Sequence, residues 1–87
     1  MSFNIDELKK KIIYRSTYRG TKEMDALISS FTKKVINDLN AEQLIDLSIL
    51  LNMDDENLYK LNQGLSTTVN IKKNKVNRLF KEFKYIK

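Results

Sequence analysis

The residues of this chain with the most chemical potential lie in one run, Tyr14-Arg15-Ser16-Thr17-Tyr18-Arg19-Gly20-Thr21-Lys22-Glu23-Met24-Asp25. Arg19, Gly20 and Glu23 form an Arg-Gly-x-x-Glu motif. Two tyrosines, Tyr14 and Tyr18, a second arginine, Arg15, and a second acid, Asp25, flank it. Aromatic rings and guanidinium groups bury much area at small entropic cost, so they dominate hot spots between proteins. The pattern suits recognition better than bond-making. Histidine and cysteine are both absent, which removes the common nucleophile–base pairs and the His/Cys zinc sites. No glycine-rich loop offers a phosphate cradle. The acidic cluster Asp54-Asp55-Glu56 lacks the alternating spacing and central glycine of a calcium loop, and acids at a helix start ordinarily serve as caps and dipole partners. The chain is therefore expected to be no enzyme, and to bind no cofactor or metal of its own.

The motif sits where one helical pattern stops and the next begins. A first helix is predicted from about Ile5 to Tyr18, opened by Asn4 and Glu7 at capping-box spacing, with Ile5, Leu8 and Ile12 as its apolar stripe. Tyr14 and Tyr18 fall on roughly the opposite side, facing outward, although either could instead pack on a neighbouring helix. The second helix, about Thr21 to Ile36, carries the face Met24, Leu27, Ile28, Phe31 and Val35. Asn40 caps a third helix with Gln43 three residues on. Its Leu44, Ile45, Leu47, Ile49, Leu50 and Leu51 leave little polar face and mark it as the buried centre. Asp54-Asp55-Glu56 opens a fourth helix that stops at Gly64. After the linker Ser66-Thr67-Thr68, Val76, Leu79, Phe80, Phe83 and Ile86 form the stripe of an amphipathic final helix. The expected fold is all-α, a small antiparallel five-helix bundle, in one domain over residues 1–87. Residues 1–64 form its core, and residues 65–87 its linker and basic C-terminal helix.

Capping alone accounts for all three positions of the Arg-Gly-x-x-Glu motif. Gly20 suits the position after a helix end, where φ > 0 costs nothing without a Cβ. Arg19 complements the negative end of the first helix and Glu23 the positive end of the second.

The net charge of +5 is unevenly distributed. Residues 1–65 hold nine basic against ten acidic residues, whereas residues 66–87 hold seven basic against Glu82 alone. The basic character thus belongs to the final segment. It reads as a solvated face, with sequence-blind nucleic-acid binding through residues 70–87 as the alternative function. No apolar run approaches the ~20 residues that span a bilayer, so no membrane insertion is expected. Met1-Ser2-Phe3-Asn4 leads almost directly into the first helix and leaves no room for a targeting peptide, which fits a cytoplasmic bacterial protein.

The Arg19-Gly20-x-x-Glu23 motif, the following Asp25, the preceding Tyr14-Arg15-Ser16 and the order of helices over residues 8–64 resemble the SdhE family. Its members are small helical assembly factors that promote covalent attachment of FAD to the flavoprotein subunit of succinate dehydrogenase. The resemblance implies a monomer that docks on that subunit through Tyr14, Arg15, Tyr18, Arg19, Gly20, Glu23 and Asp25. FAD would be carried by the partner, and a fumarate reductase flavoprotein is a second candidate client. It also implies that Arg19→Ala or Gly20→Glu leaves the isolated fold largely intact while lowering the partner's covalent flavin. The chain departs from the family at Leu61-Asn62-Gln63-Gly64, where many relatives carry a tryptophan, and a proline common in the following linker is missing. The lost aromatic is expected to weaken the anchor beneath the C-terminal segment.

Overall fold

A computed structural model describes residues 4–17 and 19–84. Tyr18 and Ile86 therefore lie outside the described residues. The architecture is all-helical: α1 (Ile5–Thr17), α2 (Lys22–Val35), a 3-10 turn (Ile36–Asp38), α3 (Ala41–Leu51), α4 (Asp55–Asn62) and α5 (Lys75–Glu82).

Side chains that satisfy free backbone donors set the starts of all five α-helices, and Asn4 Oδ1 accepts from Glu7 N–H at 3.1 Å ahead of α1. Thr21 Oγ1 accepts from Met24 N–H at 3.1 Å, and Asn74 Oδ1 accepts from Asn77 N–H at 2.8 Å. Asn40 and Gln43 exchange bonds in a complete capping box, and Asp54 caps α4 through Asn57. Such caps are each worth ~1 kcal/mol. At the other end of α4, Gly64 has φ +73°, the left-handed stop expected of a glycine.

The core is continuous across the helices. Ile12, Ile28, Leu44, Leu47, Leu58, Val76 and Phe80 are fully enclosed. The whole expected face of α2, Met24 to Val35, is buried. α1 packs on α2 and α3, and α5 packs on α3 and α4. Eight-residue helices such as α4 and α5 are unstable in isolation, so this packing holds them. Phe31 meets Phe80 and Phe83 edge-on at 5.0 and 5.4 Å between centroids, a geometry worth ~0.5–1.5 kcal/mol per pair beyond area burial.

One expectation is corrected here. α3 is not buried all round: Ile45 is 44% exposed and Ile49 63% exposed, while Leu44, Leu47, Leu50 and Leu51 face inward. The C-terminal segment has a polar anchor in place of the missing aromatic. Asn62, 4% exposed, donates through Nδ2 to the carbonyls of Phe80 and Phe83, each at 2.9 Å. Phe80 O also takes the Phe83 N–H at 3.2 Å, whereas Phe83 O lies past the end of α5, where carbonyls run out of helical donors.

Candidate functional site

The corner between α1 and α2 is tied to the turn between α3 and α4, and Arg19 makes the tie. The sequence places Arg19 in the last turn of the first helix, but α1 ends at Thr17. Its guanidinium serves a different helix. Nη1 donates to Leu51 O and Nη2 to Met53 O, both at 2.9 Å, at the C-terminal end of α3. A cation there complements the negative end of the helix. The pairing is right in kind but made with a distant partner. Nε donates to Asp55 Oδ1 at 2.8 Å, and Nη2 lies 2.8 Å from the same oxygen. The Arg19 side chain is only 12% exposed, so it is committed to the interior of the corner.

The remaining motif residues complete this arrangement. Asp55 Oδ2 accepts from Gly20 N–H at 3.0 Å, so one carboxylate receives both the guanidinium and the backbone of the next residue. Asp25 accepts from Arg19 N–H, which fixes the chain as it enters α2. Gly20 does not occupy the left-handed region, contrary to the helix-stop expectation. A Cβ there would lie 3.3 Å from Asp55 Oδ2, so the glycine serves close approach to a carboxylate. Asp55 thus has a role that its place in an acidic cluster did not reveal. Its neighbour Asp54 is held below the usual carboxylate range, chiefly because its carboxylate accepts the Asn57 side-chain amide. Glu56 pairs with Lys60 one turn along, at 3.1 Å.

Other expected site residues remain at the surface. Tyr14 is 69% exposed, on the outer side of α1 as its spacing predicted. Arg15 reaches across to α3, where Nη1 donates to Ser48 Oγ at 3.3 Å and Asn52 Oδ1 at 3.1 Å. Ser16 faces inward, fully buried, and returns its hydroxyl to Ile13 O at 2.7 Å. Glu23 is exposed in the first turn of α2. The structure therefore brings Arg19, Gly20 and Asp25 together as the fixed part of the corner, with Arg15 bound to α3 beside it. Tyr14 and Glu23 are presented on the surface.

Two buried asparagines escaped the sequence reading. Asn57 links Asp54 to Thr68: Nδ2 donates to Asp54 Oδ1 at 2.7 Å and Thr68 Oγ1 at 2.9 Å, and Oδ1 accepts from Thr68 N–H at 2.8 Å. Asn62 holds the end of α5. Each sits at helical spacing beside apolar positions, Leu58 and Leu61, which is the only signal the sequence gave of their burial.

Among the described residues, no helix is long and apolar enough to cross a membrane. No solved structure matches the chain. Among curated proteins it is 38% identical over 55 residues to the mitochondrial succinate dehydrogenase assembly factor 2 of Dictyostelium discoideum, covering 63% of this chain and 39% of that protein. The Saccharomyces cerevisiae protein of the same name (strain ATCC 204508 / S288c) is 36% identical over 55 residues, covering 63% and 34%. The mitochondrial assembly factor 2-B of Drosophila melanogaster is 38% identical over 48 residues, covering 55% and 31%. The chain thus aligns with about a third of the length of these relatives. A family model described as the flavinator of succinate dehydrogenase matches residues 10–84. These descriptions name assembly factors rather than enzymes. The match takes in the α1–α2 corner, the turn it is tied to and α5, and the chain belongs to this flavinator family.

Proposed function

We propose that this chain binds the flavoprotein subunit of succinate dehydrogenase and promotes covalent attachment of FAD to it. The family match over residues 10–84 carries this reading, and the construction of the corner supports it. A surface that recognises a large partner gains from being rigid before the encounter, because less freedom is then lost on binding. Arg19, Gly20 and Asp25 supply the rigidity by fastening the corner to Asp55 and the end of α3. Tyr14, Arg15 and Glu23 supply the surface around it, and Tyr18 joins the proposed contact on the strength of the sequence motif alone.

Chemistry at the flavin belongs to the partner in this reading. The chain has neither histidine nor cysteine, and it acts by preferring one conformation of the flavoprotein. A binder raises the population of the conformer it favours by its differential affinity alone, and about 1.4 kcal/mol of preference gives a tenfold shift. The working unit is a monomer. Its compartment is the bacterial cytoplasm, although the curated relatives carry mitochondrial names. A fumarate reductase flavoprotein is a further candidate client.

The test is co-expression with a candidate flavoprotein, read as ultraviolet-fluorescent flavin that stays with the polypeptide on a denaturing gel. The reading requires a clear gain over flavoprotein expressed alone. Equal flavin with and without the chain would refute it.

A further inference from the structure

One large concavity has no residue of the α1–α2 corner in its lining. It is a cleft of about 700 Å3 between the segment leading into α5 and α5 itself. Its rim carries Lys72, Lys73, Lys75, Arg78 and Lys81, and among the described residues no carboxylate lines it. Leu61 and Ile71 contribute apolar surface. A smaller cleft of about 120 Å3 adjoins it and shares Ile71, Lys72, Asn74 and Asn77. That second cleft adds Ile49, Leu50 and Met53, with Asp46 as its one charged group besides Lys72. The exposure of Ile49 is thereby placed: it borders a groove that is cationic at the α5 end and apolar toward α3.

Collecting like charges around one concavity is unfavourable for the isolated fold, since the cations repel through a low-dielectric wall. An anionic occupant relieves the repulsion. The chemistry of the lining narrows its class. Built phosphate sites converge backbone N–H groups or arginine forks on one point. Here four of the five rim cations are lysines, and all five residues are solvent-exposed. Grooves for non-specific single-stranded nucleic acid interleave cations with aromatic platforms, and among the described residues no aromatic side chain lines either cleft. The apolar surface lies inside a concavity, which suits a bound segment better than a lipid surface. Carboxylates beside apolar side chains are what an acidic polypeptide segment offers.

We infer that this groove docks an acidic, apolar-bearing segment of the client protein, with its carboxylates over Lys72, Lys73 and Arg78 and its apolar side chains toward Ile71 and Ile49. The inference rests on the assembly role proposed above and gives the client a second contact besides the corner. Charge complementarity of this kind acts first on encounter rate and is weakened by salt.

The experiment measures affinity of the full chain for the flavoprotein subunit at about 50 mM and about 500 mM salt, where screening lengths differ several-fold. It compares wild type with the triple variant Lys72→Glu, Lys73→Glu, Arg78→Glu. All three side chains are exposed, and a matched triple glutamine variant covers any loss of folding from charge reversal. Reversal is expected to weaken binding about tenfold or more at low salt, with the two proteins converging at high salt. A photo-crosslinker at Ile71 should capture an acidic segment of the client. Unchanged low-salt affinity in both triple variants overturns the inference while leaving the assembly role standing. So does binding of inorganic pyrophosphate or duplex DNA that the variants lose without any change toward the client. If wild type binds no flavoprotein at either salt, the assembly role itself falls, and this inference falls with it.

Discussion

Replacing Arg19 with alanine removes a guanidinium that is 12% exposed and bonds to three acceptors on the α3–α4 turn. Breaking a fully buried ion pair by deleting one partner costs about 3–5 kcal/mol, because the other charge is left without compensation. Asp55 keeps 30% of its side chain exposed, so water recovers part of that loss. Two carbonyls at the end of α3 lose a charged donor, a bond class worth about 1.5–3 kcal/mol each before water replaces it. The balance is a destabilisation of ~2–3 kcal/mol after discounting for solvent access. In a domain of this size ~1 kcal/mol moves Tm by about 4–8 °C, so Tm should fall by about 10–20 °C. Total stability of roughly 4–13 kcal/mol keeps the variant folded at room temperature, yet the fold does not escape as lightly as the sequence suggests. Arg19→Lys should recover less than half the loss, since an ammonium cannot serve three spread acceptors. Urea unfolding of Arg19→Ala, Asp55→Ala and the double variant is the assay, with a coupling of about 1 kcal/mol or more expected. A loss under about 0.5 kcal/mol without coupling would refute the reasoning, and would mean that the guanidinium is available to a partner after all.

The two glycines should respond for different reasons. Gly64→Ala has room for its Cβ, 3.9 Å from Lys81 Cε, but must hold φ +73°, and should lose about 1 kcal/mol in urea unfolding. Gly20→Glu has no such backbone penalty but crowds Asp55 Oδ2 and sets a like charge beside it, so its cost should shrink in an Asp55→Asn background. Asn62→Ala should destabilise by about 1–2 kcal/mol by removing a donor from Phe83 O and leaving Phe80 O with the Phe83 N–H; amide exchange that speeds up no more in α5 than elsewhere would contradict this anchor. The lowered titration of Asp54 means its carboxylate supports the fold above the ordinary value of 3.8 and loses that contribution as pH falls through the lower folded value. Asp54→Asn keeps a capping oxygen without the titration, so the stability gap to wild type, measured by urea midpoints from about pH 6 to about pH 2, should narrow with acid.

The parts of the fold legible in the sequence were the local ones. Thr21, Asn40 and Asp54 announce helix starts because a cap and its target lie three residues apart, and the α2 face from Met24 to Val35 repeats at a single period. The site was legible as a location but not as a mechanism. Arg19 reaches acceptors 32, 34 and 36 residues away, and no local pattern links Arg19 to Leu51, Met53 or Asp55. Gly20 was read through the usual preference for glycine after a helix, while its actual constraint comes from the Asp55 carboxylate. Composition misled at Ile45 and Ile49, where apolar type implied burial and neighbouring segments leave them partly open. Asn62 stood out in the sequence as a departure from an aromatic, and its paired bonds to α5 depend on tertiary placement.

The central claim is that this chain assists a reaction carried out on another protein. Its most direct measurement is the fraction of flavoprotein subunit bearing covalent FAD in cells with and without the chain, with the chain restored as wild type or as Arg19→Ala. The account predicts a low fraction without the chain, recovery with wild type, and recovery with Arg19→Ala only at temperatures well below that variant's Tm. Full covalent loading in cells lacking the chain would contradict it.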